Sequence, residues 1–126
     1  MKPIKVVDAS ALVALLLQEP EAKAVAERLN DSTLIAPSLL GFEVANACLS
    51  KYRRHPGLGD FIWTAFRRRE RLQMESAEVD HVEVLALAVR SGLTAYDASY
   101  LWLARTLGAE LVTLDRKLAQ SAANPG

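Results

Sequence analysis

The sequence predicts an α/β fold: one parallel sheet of four or five short strands, flanked by helices on both faces. Short β-branched or apolar runs alternate with longer stretches of helical spacing along the whole chain. That alternation calls for a parallel sheet covered on both faces. The composition agrees: 51% of residues are hydrophobic and only 6% aromatic, with Ala, Leu and Val dominating.

The first strand is the β-branched run 4–7, and the apolar run 11–17 reads as a helix capped by Ser10. Pro20 begins a second helix over 21–29, with Ala22, Val25, Ala26 and Leu29 on one face. Asn30-Asp31-Ser32 is a turn, and the strand 33–36 is closed by Pro37. Ser38 then caps a helix running to about residue 54; His55-Pro56-Gly57 breaks the chain before another helix over 58–69. Residues 72–74 form a weak third strand. The helix over 78–90 turns Val79, Val82, Leu85, Ala86 and Val89 inward and stops at Gly92. Thr94 opens a helix to about residue 107, ended by Gly108. A fourth strand covers 110–113, Asp115 opens a last short helix, and the tail 122–126 is expected to fray.

At 126 residues the chain is a single domain, 1–126, with no linker, repeat or low-complexity segment. Fifteen basic and fifteen acidic residues cancel, so no global field draws in nucleic acid and any such binding rests on local patches. The lone Cys48 allows no internal disulfide and, among Ala45, Ala47 and Leu49, reads as a buried, inert thiol. The first apolar run is interrupted by Asp8, lacks a small-residue cleavage site and is too short to span a bilayer. The expected location is therefore cytoplasmic, with no membrane partner.

Four acids stand in apolar surroundings: Asp8 after the first strand, Glu43 in Gly-Phe-Glu-Val-Ala-Asn, Asp97 in Ala-Tyr-Asp-Ala-Ser, and Asp115 in Val-Thr-Leu-Asp. Burying a charge costs several kcal/mol, on the order of that range, unless something compensates. Three of the four have local structural roles open to them. Asp8 suits a turn bond near Ser10, Asp97 a capping box with Thr94, and Asp115 an N-cap. Glu43 has none, and no Lys or Arg follows it before Lys51. Asn46 shares its helical face and is placed to orient it. A metal ion gathered by Asp8, Glu43, Asp97 and Asp115 accounts for all four together. With Ser10, Asn46 and Thr113 nearby, the donor set is all oxygen, which selects Mg²⁺, with Mn²⁺ as substitute, over zinc or copper. His55 and His81 lie near none of the acids in sequence. A metal-activated water is then the best nucleophile, and the chemistry points to phosphodiester hydrolysis.

The segments Val-Val-Asp-Ala-Ser-Ala-Leu, Phe-Glu-Val-Ala-Asn-Ala, Tyr-Asp-Ala-Ser-Tyr-Leu and Leu-Val-Thr-Leu-Asp, in this order, resemble the PIN-domain nucleases, in particular VapC toxins of toxin–antitoxin pairs. The resemblance covers essentially the whole chain. It implies a metal-dependent endoribonuclease with Asp8, Glu43, Asp97 and Asp115 as acidic quartet and Ser10, Asn46 and Thr113 in support. Within the quartet, Asp8, Asp97 and Asp115 would be the metal ligands. It also implies a homodimer, an RNA substrate, and a small antitoxin whose C-terminal segment lies in or across the active-site groove. The chain departs from many relatives in having Arg116 and Lys117, not a further acid, after Asp115. That departure bears on whether a second metal is held. Leu118 replaces a common aromatic.

Two basic clusters, Lys51 with Arg53 and Arg54, and Arg67, Arg68, Arg69 with Arg71, flank one helix. They are expected to face each other at the mouth of a groove and hold RNA phosphates or an acidic antitoxin segment. Phe61, Ile62, Trp63 and Phe66 go more than half-way around that helix, which suggests contact with a partner chain. The alternative from another class is a catalytically silent, receiver-like regulatory or binding module. It leaves Glu43 unexplained. A glycine-rich phosphate-binding fingerprint is absent.

Overall fold

The structure, a computed structural model, describes residues 1–124. Four parallel strands form its sheet in the order β3-β2-β1-β4. They are β1 (Ile4–Val7), β2 (Thr33–Pro37), β3 (Met74–Ala77) and β4 (Glu110–Val112). Seven α-helices among the described residues connect and cover them: α1 (Ala9–Leu16), α2 (Ala22–Leu29), α3 (Leu40–Arg54), α4 (Gly59–Arg68), α5 (His81–Ser91), α6 (Ala95–Leu107) and α7 (Arg116–Ala123). The α/β class and the parallel sheet agree with the sequence reading.

Val6 and Val7 of β1, a central strand, are fully buried, as a strand covered on both faces must be, and so is Val112 of the neighbouring edge strand β4. Val6 pairs with Ile35 on one side and Leu111 on the other, which fixes the register of the sheet centre. Leu12, Leu101, Tyr100 and Leu118 close the core from α1, α6 and α7. Gly92 and Gly108, at φ 71° and 61°, end α5 and α6 in the left-handed conformation that glycine adopts without strain.

Several local expectations are corrected. The N-cap of α1 is Asp8, not Ser10: its side chain accepts from the Ala11 amide. The caps of α2 and α3 are Glu21 and Leu39, both without a side-chain cap bond, so neither Pro20 nor Ser38 opens a helix. This start leaves Glu43 in the first turn of α3, where the helix dipole favours an anion. The third strand lies at 74–77, because the chain continues from α4 into a short 3-10 turn at Arg69–Arg71. As an edge strand paired only with β2, it carries the exposed Glu75 and Ser76 at no cost. Helix α5 starts at His81 behind the N-cap Asp80 and is rotated from the expected face. Val84 and Leu87 are buried, while Val82, Leu85 and Val89 face out. The helix is apolar on nearly every side, so its own pattern leaves the inward face open and packing against α6 decides it. In α2, Ala26 is likewise exposed. In the tail, Ala122 and Ala123 are helical and Arg105 donates to the Asn124 carbonyl at 2.8 Å; residues 125–126 lie outside the described residues.

Candidate active site

The strand order places β1 between β2 and β4, and the chain changes direction across the sheet between β1 and β4. At such a switch point the carboxyl ends of neighbouring strands splay apart and leave a crevice. Asp8 follows β1, and Thr113, Leu114 and Asp115 follow β4, so both rims of the crevice carry the predicted residues. Asp8 is 4% exposed. Its Oδ1 accepts from the Ala11 amide at 3.0 Å and from Ser10 Oγ at 2.7 Å, and its Oδ2 accepts from Thr113 Oγ1. Ser10 Oγ also accepts from the Leu114 amide at 2.9 Å. Ser10 and Thr113 thus stitch the two strand ends together around one carboxylate.

The other three acids also sit at helix N-termini. Asp115 caps α7 through a 2.9 Å bond from the Leu118 amide, and Asp97 lies in the first turn of α6 behind the cap Thr94. Glu43 Oε1 accepts from the Tyr100 hydroxyl at 2.6 Å. Tyr100 is the partner that sequence reasoning missed. It lies one turn beyond Asp97, on the Asp97 side of α6, yet its contact is 57 residues away in the chain. A tyrosine one turn beyond a candidate acid was the available signal. Asn46 is exposed, and the bond holding Glu43 comes from Tyr100.

The acids feel one another. Burial raises the Asp8 carboxyl above its ordinary value, and Asp115 adds to the rise. Burial, then Asp97 and Asp8, do the same to Glu43 against the Tyr100 bond. Asp97 is raised by burial, then by Asp115 and Asp8, while Lys117 pulls it down. Burial and the Glu43 contact push the Tyr100 hydroxyl far up, so it stays a proton donor in that bond. Lys117, which the sequence marked as a departure after Asp115, donates to the Gly92 carbonyl at 2.7 Å.

Among the described residues, no three acidic, histidine or cysteine side chains stand close enough to hold an ion between them. The donor chemistry nonetheless fits a hard cation: the donors are oxygens, they repel one another, and Lys117 offsets part of that repulsion at Asp97. Mg²⁺ keeps several waters and takes one or two carboxylates, so it does not need a closed protein cage. Asp8, Asp97 and Asp115 are the residues that would hold it.

Helices α3 and α4 form an antiparallel hairpin, which places the arginine clusters at opposite ends instead of facing each other. A Cβ on Gly41, at the start of α3, would lie 3.5 Å from an Arg69 side-chain nitrogen, so the Arg67–Arg71 end stands at the Glu43 end of α3. Arg53 and Arg54 are exposed at the far end. Ile62 is buried and Phe66 packs on the core, whereas Phe61 and Trp63 are exposed. Burial raises the Cys48 thiol, in line with an inert cysteine.

The PIN domain family model matches residues 5–124. The chain belongs to the PIN-domain family. Its curated relatives place it among the VapC-like PIN domains. Ribonuclease VapC3 of Pyrobaculum aerophilum is 32% identical over 123 residues, covering 91% of this chain and 92% of that protein. Ribonuclease VapC12 of Mycobacterium tuberculosis is 36% identical over 124 residues, covering 92% and 90%. A protein named exonuclease VapC9 of Pyrobaculum aerophilum is 37% identical over 116 residues, covering 89% and 80%. The crystal structure of PAE2754 from Pyrobaculum aerophilum superposes with a TM-score of 0.70 at 29% identity, covering 94% of this chain and 79% of that one. The receiver-like alternative falls with the topology: a receiver-type sheet runs 2-1-3-4-5, whereas β1 of this PIN domain lies between β2 and β4. No helix among the described residues is long and apolar enough to cross a membrane.

Proposed function

We propose that this PIN domain is a divalent-metal-dependent endoribonuclease acting as the toxin of a toxin–antitoxin pair, with Asp8, Glu43, Asp97 and Asp115 as its acidic site. The observation that carries the reading is Asp8. It is a buried carboxylate at the switch point, raised by burial and then by Asp115, and its three hydrogen bonds among the described residues come from neutral donors. A Mg²⁺ or Mn²⁺ ion bound there supplies a Lewis acid for the scissile phosphate and an activated water. The chain's own residues do the rest. Ser10 and Thr113 fix the Asp8 carboxylate, and Tyr100 holds one oxygen of Glu43. Glu43, raised by burial and not among the residues that would hold the ion, is the carboxyl suited to take a proton from the attacking water. Arg67 and Arg68, exposed at the end of α4, are placed for RNA phosphates.

The antitoxin part of the reading has its own support. Between α3 and α4 lies an apolar cavity of about 350 Å³, with Cys48, Leu49, Tyr52, Ile62, Trp63 and Phe66 among its lining. Arg67, Arg68 and Arg71 line an open cleft further along α4. An amphipathic antitoxin segment with acidic residues matches that pairing. A homodimer completes the set of partners.

Purified protein incubated with RNA is expected to cut it with Mg²⁺ or Mn²⁺ and to stop in EDTA. Asp8→Asn should reduce cutting by about 10²-fold or more with an unchanged circular dichroism spectrum. Undiminished cutting by that variant overturns the site. A covalently closed RNA circle separates internal cutting from end trimming. An intact circle beside a degraded linear strand overturns the endonuclease part.

A further inference from the structure

Lys117 brings a positive charge to the acidic site, and the fold ties it in place. It lies in the first turn of α7, two residues after the N-cap Asp115. Its Nζ donates to the Gly92 carbonyl at 2.7 Å. Gly92 ends α5 and stands two residues before Thr94, the cap of α6, whose first turn carries Asp97. The ammonium therefore bridges the turn that leads to Asp97 and the helix that begins at Asp115. Burial, Asp115 and Asp8 raise the Asp97 carboxyl, and Lys117 acts against that rise. A tie to the carboxyl end of α5 alone would use one of the three ammonium hydrogens. Arg116, adjacent and exposed, makes no bond to that turn among the described residues.

We propose that Lys117 serves the acidic site as a built-in second cation, so that the site takes a single divalent ion. The inference rests on the reading of Asp8, Glu43, Asp97 and Asp115 as that ion's site. Formal charge gives the reason. Four ionised carboxylates carry four negative charges, and the tethered ammonium leaves three of them unbalanced. One Mg²⁺ or Mn²⁺ is held strongly by those three and leaves one. A second ion would meet that single charge, against two if the lysine were absent, and attraction scales with the charge it meets. The ammonium also differs from an ion in being covalently attached, so a chelator cannot strip it from the site. Lys117 is thus a positioning and charge-setting residue: it joins the two segments that carry Asp97 and Asp115 and fixes how many cations they accept.

The test is Mn²⁺ binding to the full chain without RNA at neutral pH, read from the electron paramagnetic resonance of the free ion. The wild type should take one equivalent. Lys117→Met should take two, the first about tenfold tighter than in the wild type. Lys117→Arg keeps the charge and should stay within about threefold of wild type. Arg116→Met removes an equal charge one residue away, in solvent, and should change binding by about twofold or less. Both side chains are exposed, so the variants should keep the wild-type circular dichroism spectrum. A purely structural tie predicts the opposite sign: losing it would loosen Asp97 against Asp115 and weaken the ion. Weaker or unchanged binding in Lys117→Met therefore overturns the inference, as does a wild type that takes two ions or an equal gain in Arg116→Met. Asp8→Asn separates this failure from that of the site itself. A wild type that binds no Mn²⁺, or an Asp8→Asn variant that binds it as the wild type does, overturns the acidic site and the role of Lys117 with it.

Discussion

At Asp8 one carboxylate accepts from the Ala11 amide and from the Ser10 and Thr113 hydroxyls, tying the ends of β1 and β4 together. Asp8 caps α1 in place of Ser10, and Asp115 caps α7 as the sequence allowed, but capping does not account for their mutual repulsion. The four acids were legible in the sequence because a charge among apolar residues is costly and therefore informative. Tyr100 was not, because its role depends on α6 lying beside α3, which no local pattern encodes. The Glu43–Tyr100 pair yields a two-sided prediction in metal-free protein. Glu43 is raised in the fold, so its ionised form at neutral pH costs the folded state more than the unfolded one. Glu43→Gln removes that cost while still accepting from Tyr100, and its melting temperature should rise. Tyr100→Phe removes the donor and leaves a half-buried carboxylate unmet, which should cost about 1–3 kcal/mol. Thermal melts in EDTA decide. A lower melt for Glu43→Gln would mean that the charge itself is structural.

The helices and strands differ in how readily they could be read. Both glycine stops, Gly92 and Gly108, and the Thr94 cap fall where the sequence put them, because each signal is a backbone requirement at one residue. The start of α3 and the position of β3 did not, since Ser38 makes no cap bond and the Arg69–Arg71 turn delays the strand. On α5 the sequence reading turned Val82, Leu85 and Val89 inward, whereas packing against α6 buries Val84 and Leu87 instead. This assignment separates two truncations on one helix. Leu87→Ala, at a position 3% exposed, should destabilise the monomer by about 2–5 kcal/mol in urea unfolding. Leu85→Ala, at 63% exposed, should stay within about 0.5 kcal/mol at protein concentrations too low for association. Equal losses from the two would contradict the rotation of α5 described here.

Across the whole molecule, the net charge of zero hides a concentrated negative pole, because the acids at the carboxyl end of the sheet act on one another. That crowding links stability to pH and to cations. Asp8, Glu43 and Asp97 all have carboxyls raised in the fold. Each therefore adds stability that is full below the ordinary values of 3.8 for Asp and 4.5 for Glu, and lost as pH rises through its folded value. At neutral pH all three act against the fold. Glu110, lowered by Arg28, works in the opposite sense, but its ion pairs with Arg28 and Lys5 are surface pairs and count for little. A cation bound at the acidic edge relieves the repulsion and, by binding only the folded chain, stabilises it by about 2.7 kcal/mol at a hundred times its dissociation constant. Protons compete for the same oxygens, so the gain on adding Mn²⁺ should be large near pH 7 and shrink toward ~pH 5. Asp8→Asn should lose most of the gain at either pH, whereas Glu110→Gln should keep it. Melting curves of the three proteins with Mn²⁺ and with EDTA at the two pH values provide the test. A Mn²⁺ gain that survives Asp8→Asn unchanged would place the cation elsewhere on the chain.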